Sequence, residues 1–228
     1  MLWATTDLWA DLEAAVLLEA SAAVRKIGQS LATDAIAART EWLAGDATID
    51  LADIQPADLV TAAYVLDEIV PASLPKLVGR LWQLTADTLL IVEPGTPAGW
   101  QRILAVRRQL VEAGAHVLAP CPHEAPCPLA QPDWCHFSRR VARSRLHRLA
   151  KDADVPWEDE KFIYIAASRQ PAPARPARVI APPRAGSGKV LLKLCRSDGN
   201  AGETLFSKRD GEMFKAARRA DWGDSLEI

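Results

Sequence analysis

The sequence has no long hydrophobic run, and this absence excludes one class of protein. None of its apolar stretches approaches the roughly 20 residues that a membrane-spanning helix needs. The N-terminal stretch MLWATTDLWADLEAA carries acids where a secretory signal peptide carries basic residues, and it lacks an apolar core. We therefore expect a cytoplasmic protein that has no membrane partner.

An excess of charge of one sign is lacking as well. The chain has 27 Lys and Arg against 29 Asp and Glu, a net charge of −2, so its overall charge does not predict nucleic-acid binding. Hydrophobic residues make up 49% and charged residues 25% of the 228 residues, which is typical of a globular protein with a proper core. Any RNA-binding surface must therefore come from local clustering of basic residues.

Cysteine is scarce, and three of the four cysteines lie in one short segment. Residues 121–138 read CPHEAPCPLAQPDWCHFS, and the four prolines in this segment disfavour a helix or an inner strand. The segment is therefore predicted to be a stiff loop that presents thiols. The fourth cysteine, Cys195, comes at the predicted end of a strand in KVLLKLCRSDG. In a reducing compartment such thiols favour a metal site over disulfides.

The spacing of the cysteines leaves the metal open. Thiolates select zinc, copper(I) or iron–sulfur clusters. The closely paired cysteines of structural zinc sites are absent, whereas wide gaps and a remote fourth cysteine suit a cluster held by four thiolates. His123 or His136 could replace a thiolate, so zinc stays an alternative. Four unrelated buried cysteines are the other alternative.

Several segments resemble a known family, the methyltransferase-like assembly factors of the small ribosomal subunit. The segments are CPHEAPCPL, DWCHFSRRV, PWEDEKFIYIAASR, APPRAGSGKVLLKLCRSDG and KRDGEMFKAARRADWGD. The resemblance covers nearly the whole chain, and the four-cysteine pattern is its most specific part. It implies a four-iron, four-sulfur (4Fe–4S) cluster with the ligands Cys121, Cys127, Cys135 and Cys195. It also implies the small ribosomal subunit and its rRNA as partners, and a protein that is monomeric off the ribosome.

Alternating strand and helix patterns predict an α/β fold with a mostly parallel sheet. The resemblance implies that this sheet is Rossmann-like, of the class I methyltransferase type. Three parts are predicted: a truncated methyltransferase-like α/β domain, a cysteine-rich loop with a basic helix and a returning strand, and a C-terminal β module with a basic helix. Their bounds are 1–120, 121–169 and 170–228.

Acidic residues follow the predicted strands, at the edge where such sheets bind ligands. By the resemblance, Glu19 is the candidate partner of the ribose of S-adenosylmethionine, Asp46 is expected near the adenine, and Asp67 is a further candidate. The alternative is that each acid simply begins a loop or caps a helix.

The glycine-rich turn that opens a methyltransferase domain is absent. The first glycine is Gly28, inside a predicted helix, so the chain lacks the strand expected at the centre of the sheet. Either Met1 is a start assigned too far downstream or the chain is truncated, and we expect a weakened sheet. This absence opposes the alternative function, an S-adenosylmethionine-dependent rRNA methyltransferase. No motif for methyl transfer identifies a catalytic residue.

A basic run at residues 138–151 predicts a helix with a phosphate-binding face. Its cations are Arg139, Arg140, Arg143, Arg145, Arg148 and Lys151. The alternative is a solvated face that pairs with the acids of DADVPWEDE. The leading hypothesis is an iron–sulfur assembly factor that binds small-subunit rRNA, and a zinc-stapled structural module is the second alternative.

Overall fold

The structure is a computed structural model that describes residues 1–9, 11–51 and 53–228. The helices are α1 Leu2–Leu8, α2 Ala22–Leu31, α3 Asp34–Ala37, α4 Leu74–Gln83, α5 Pro97–Glu112, α6 Arg145–Ala150 and α7 Glu212–Arg219. The strands of the first two thirds are β1 Ala15–Glu19, β2 Thr40–Ala44, β3 Ala57–Ala63, β4 Thr85–Pro94, β5 His116–Ala119, β6 Phe137–Ala142 and β7 Trp157–Ser168. The last strands are β8 Ala177–Val179, β9 Arg184–Gly186, β10 Lys189–Cys195, β11 Ala201–Ser207 and β12 Ser225–Leu226.

The parallel pair β1–β2 forms a small sheet of its own. Ser21 caps α2, where its hydroxyl accepts a hydrogen bond from the Val24 amide. The predicted strands of this region are confirmed, but β1 and β2 share no ladder with β3 in the described part of the chain. The described part of the chain therefore contains two separate parallel strand pairs, β1–β2 and β3–β4.

The central sheet has the strand order β3-β4-β7-β5, with β6 also paired to β7. Helices α4 and α5 pack on it over a core in which Val78, Leu89, Ile91 and Ile165 are fully buried. The α/β class is confirmed. The prediction of a mostly parallel sheet is confirmed for strand direction: β3, β4, β5 and β6 run the same way, and β7 runs antiparallel to its neighbours β4, β5 and β6.

One edge of β7 is shared by two strands that leave a gap between them. On that edge β6 pairs with residues 157–162 and β5 pairs with residues 166–168. The cysteine-rich loop leaves the sheet after β5 and returns to it at β6. The chain therefore places this loop over the gap at residues 163–165.

The predicted helix over residues 138–151 is wrong. Its first part is the strand β6, and only Arg145–Ala150 is helical, after the N-cap Ser144. Phe137 starts β6 in the core at 3% exposure, and Arg139 and Arg140 lie opposite Glu160 and Asp159 of β7. The antiparallel ladder with β7 and the ion pair between Arg140 and Asp159 stabilise a strand here, which the local sequence pattern alone does not reveal.

The C-terminal strands form an antiparallel sheet, in the order β11-β10-β8-β12 with β9 on β10, which we call the second sheet. It has its own small core, onto which α7 packs Phe214 and Ala217. The predicted β segments and last helix of this region are confirmed. The predicted boundary at residue 170 falls between the central sheet and the second sheet. The predicted boundary at residue 120 falls inside the central sheet, because β6 and β7, which follow it in the chain, belong to that sheet.

No helix in the described ranges combines the length and the apolar character that crossing a membrane would require.

Candidate metal centre

The four cysteine thiols lie around one apolar cavity. Cys121, Cys127 and Cys135 come from the loop and Cys195 from the end of β10, and all four line the cavity. Its remaining wall includes Ile163, Tyr164 and Ile165 of β7, the apolar face of α5, and the side chains of Arg107 and His123. The structure therefore brings together the four residues that the sequence analysis selected.

Local structure at each end of the loop fixes where these thiols lie. Cys121 follows β5 directly, and Cys135 precedes the buried Phe137 that begins β6. Cys195 is held by the second sheet, where it pairs with Arg178 of β8 and Ala201 of β11. The site is thus built across the two sheets.

Burial makes the four thiols weak acids. It raises the pKa of Cys195 to about 12, with nearby Cys121 and Cys127 adding to the shift. Burial also raises the pKa of Cys135 well above its ordinary value, and that of Cys121 and Cys127 to a lesser degree. These thiols are therefore protonated at neutral pH unless a cation at the site favours thiolates.

His123 lies beside the fourth cysteine and is 4% exposed. Its Nδ1 lies 3.0 Å from the carbonyl oxygen of Ala125, so Nδ1 is the donor in this hydrogen bond. Its Nε2 then lies 3.4 Å from the Sγ of Cys195. Burial lowers the pKa of His123, which favours the neutral ring. Of the two histidines considered as ligands, His123 lines the cavity.

His136 instead belongs to an aromatic cluster behind the loop. Its ring stacks on Trp134 at 5.2 Å and meets the edge of Trp222 at 4.8 Å. Trp222 comes from the C-terminal part of the chain and packs against the core of the central sheet. The cluster therefore joins the loop to the C-terminal part by packing.

Polar contacts also fix the loop to the second sheet. Arg178 donates from Nε to the Pro120 carbonyl at 3.1 Å and from Nη1 to the Gly223 carbonyl at 2.8 Å. Two ion pairs cross the same boundary, Arg175 with Glu124 and Lys193 with Asp133. The loop thus contacts the second sheet near both of its ends.

Arg107 of α5 supports the loop from the central-sheet side. Its Nη2 donates to the carbonyl oxygens of His123 at 2.7 Å and of Ala125 at 2.8 Å. The residue is 5% exposed. Sequence reasoning missed this arginine, although its place among Trp100, Ile103 and Leu110 on the buried face of α5 is a signal that could have identified it.

The thiols surround the cavity without meeting at a single point. Among the residues that the structure describes, no three His, Cys, Asp or Glu side chains are arranged to hold one metal ion. A single zinc ion needs its sulfur ligands at about 2.3 Å.

The acids predicted to contact S-adenosylmethionine are divided between the two parallel strand pairs. Glu19 ends β1 and accepts a hydrogen bond from the Ser21 amide at 2.7 Å. Asp46 follows β2 and accepts from the amide and hydroxyl of Thr48, which lowers its pKa. Asp67 lies exposed after β3. Glu19 and Asp46 thus accept local hydrogen bonds at the ends of β1 and β2.

Half of the predicted RNA-binding cations pair with acids of the same hairpin. Arg140 binds Asp159 through two hydrogen bonds of 2.7 and 2.9 Å, while Arg143 and Lys151 both bind Glu158. The other three cations form no ion pair with any described residue; these are Arg139, Arg145 and Arg148. The cationic surface is therefore smaller than the sequence predicted.

Two proteins of known description are similar to this chain in sequence. The chain is 28% identical over 99% of its length to the human ribosome assembly protein METTL17, mitochondrial, and covers 52% of that protein. It is 24% identical over 65% of its length to the Rsm22-cox11 tandem protein 2, mitochondrial, of Schizosaccharomyces pombe, and covers 26% of it. The chain thus spans about half the length of the human relative and less of the yeast one.

Solved structures with a similar arrangement include two methyltransferases. A putative methyltransferase from Bacillus halodurans has a TM-score of 0.39 at 11% identity, covering 68% of this chain and 82% of that one. Magnesium protoporphyrin IX methyltransferase from Synechocystis has a TM-score of 0.43 at 11% identity, covering 74% and 78%. A family model matches far more of the chain, from residue 1 to residue 227. By this match the chain belongs to the family described as mitochondrial small ribosomal subunit Rsm22.

Proposed function

We propose that this protein is a methyltransferase-like factor that binds small-subunit rRNA during ribosome assembly and holds a 4Fe–4S cluster. The cluster ligands would be Cys121, Cys127, Cys135 and Cys195. The observation that carries the proposal is the gathering of these four thiols, three from the loop and one from β10, around one cavity. The family and the description of the human relative support the ribosomal part.

The donor set fits an iron–sulfur cluster. Four thiolates are the usual ligands of such clusters, and the chain supplies four thiols around one cavity. When bound, the cluster would supply iron–thiolate bonds between the loop and β10 and a centre that accepts an electron. The residues of the chain would hold it in an apolar cavity, which limits access of water and oxidants.

The proposed RNA surface follows the cysteine loop in the chain. Arg139 is on β6, two residues after Phe137, and Arg145 and Arg148 are on α6. None of the three pairs with an acid of the described residues, so their charges are free to meet phosphates. We therefore assign rRNA binding mainly to these three cations rather than to all six predicted ones.

Salt-dependent binding of purified small-subunit rRNA tests this assignment. Replacing Arg139, Arg145 and Arg148 by Gln should weaken binding and reduce the slope of log K against log salt by about 2, the value for three lost phosphate contacts. The matched control replaces the exposed cations Lys26, Lys76 and Arg108 by Gln, and it should bind as the wild type does. Equal binding by both triple variants would remove this surface from the proposal.

A further inference from the structure

We propose that Arg107 is the buried counter-cation of the cluster, a positioning residue that holds the cysteine loop and raises the cluster's reduction potential. This inference rests on the proposed 4Fe–4S site. It concerns a residue outside the cysteine pattern, and its test is independent of ribosome binding.

Arg107 carries a buried charge that lacks an anionic partner. The residue is 5% exposed, and it forms no ion pair with a carboxylate among the residues described. Its Nη2 is used by the two loop carbonyls, but its buried Nε has no hydrogen-bond partner. Burial of an unpaired cation is costly, so the site is incomplete without an anion.

The thiols are the groups nearest to this charge that can become anionic. Arg107 lines the same cavity as the four cysteines, and its guanidinium donates to the loop carbonyls of His123 and Ala125 beside them. Four thiolates carry more negative charge than an iron–sulfur core carries positive charge. A loaded site is therefore an anion, and it would lie beside the unpaired guanidinium.

A second arginine approaches from the other sheet but is less suited to this role. Arg178 pairs with Cys195 in the β8–β10 ladder and also lowers the pKa of Cys121. It is only half-buried, and it already donates to the carbonyls of Pro120 and Gly223. Arg107 is thus the deeper cation, and it has an unused donor.

Reduction adds one negative charge to the cluster, so a fixed nearby cation stabilises the reduced state and raises the potential. The test is an anaerobic titration of the cluster-loaded full chain with dithionite, followed by visible absorbance. Arg107→Gln should shift the midpoint potential to more negative values. Arg107→Lys, which keeps the charge, should lie closer to the wild type. Arg108→Gln, a change at the exposed neighbouring position, should leave the potential unchanged.

Loss of iron to a chelator provides a second measurement. We expect Arg107→Gln to release iron several-fold faster than Arg108→Gln, with Arg107→Lys between them. Equal potentials in a wild type and an Arg107→Gln variant that both load the cluster would overturn this inference alone. Failure of Arg107→Lys to load, with Arg108→Gln loading normally, would also overturn it, because charge would then not be what matters. A wild-type chain without iron and sulfide would overturn the cluster proposal together with the inference.

Discussion

At the scale of single residues, buried polar groups fix the loops that surround the sheets. Glu93 near the end of β4 is fully buried, and its carboxylate accepts from the Leu66 amide at 3.1 Å and from Nε of Arg102 at 2.7 Å. Glu93 is an acid near the end of a strand, the kind of position at which ligands of such sheets bind. The structure shows that this one joins β4, α5 and the loop after β3 by hydrogen bonds.

Replacing Glu93 by Ala should lower the free energy of unfolding by about 3 kcal/mol, because Arg102 and the Leu66 amide both lose their partner. Glu93→Gln should cost less, since it keeps an acceptor. Urea unfolding measures both, and the exposed Glu112→Ala at the end of the same helix α5 is the control. Equal midpoints for Glu93→Ala and Glu112→Ala would contradict this structural role.

At the scale of elements, the turn between β4 and α5 depends on a glycine. Thr96 caps the helix by accepting from the Gly99 amide at 3.1 Å. A Cβ on Gly99 would lie 2.0 Å from the Pro94 carbonyl oxygen, so a side chain there forces the strand and the helix apart. This turn positions the helix that carries Arg107.

Gly99→Ala should therefore lower the melting temperature by several degrees, a loss of at least about 2 kcal/mol for a backbone clash that must be relieved. Gly202→Ala is the matched control, because a Cβ at that position meets no atom within 4 Å. Differential scanning calorimetry compares the two variants. An unchanged Gly99→Ala protein would show that the turn adapts without cost.

The hairpin of β6 and β7 is the element where sequence reasoning failed. Its cationic run resembles a helix when taken alone, but the partners that make it a strand are acids about 20 residues later on β7. Local patterns do identify the other strands and the cysteines, because those depend on hydrophobic runs and on thiol chemistry. Arg107 and the antiparallel β7 were missed, since both depend on contacts between distant parts of the chain.

Acid should destabilise the pairing of β6 with β7 by protonating Glu158 and Asp159. The Lys151 ammonium, with help from Arg143, lowers the pKa of Glu158, and Arg140 lowers that of Asp159. Because the folded pKa values lie below the ordinary values of 4.5 and 3.8, the pairs stabilise the hairpin above those values and are lost as the pH falls through the folded ones. The protection factors of the β6 and α6 amides, which compare the observed hydrogen exchange with the intrinsic rate at the same pH, should fall below about pH 4. Glu158→Gln should exchange faster at neutral pH and respond less to acid.

At the scale of the whole molecule, two sheets with separate cores meet at the cysteine loop. The central sheet supplies β7 and α5, and the second sheet supplies Cys195 and Arg178. Ion pairs and the Trp222 contact already join the two parts, and a cluster would add covalent bonds between them. In this account the metal group links the α/β domain to the C-terminal sheet.

Removal of the cluster should uncouple the two sheets. We expect the loaded chain to unfold in one transition and Cys127→Ser to unfold at a lower temperature in a broader one, because only the noncovalent contacts remain. Circular dichroism during heating, combined with hydrogen exchange in β10 and β7, follows both parts. A Cys127→Ser variant with the same single transition as the loaded wild type would mean that the cluster does not join them.

The most direct test of the central claim is anaerobic purification followed by iron, sulfide and zinc analysis of the wild type and of Cys195→Ser. If the four cysteines hold a 4Fe–4S cluster, we expect about four irons and four sulfides per wild-type chain, as for a cubane held by four thiolates. We expect a marked loss of both in the variant. One zinc per chain, or no metal at all, would contradict the assignment of a 4Fe–4S cluster to these cysteines.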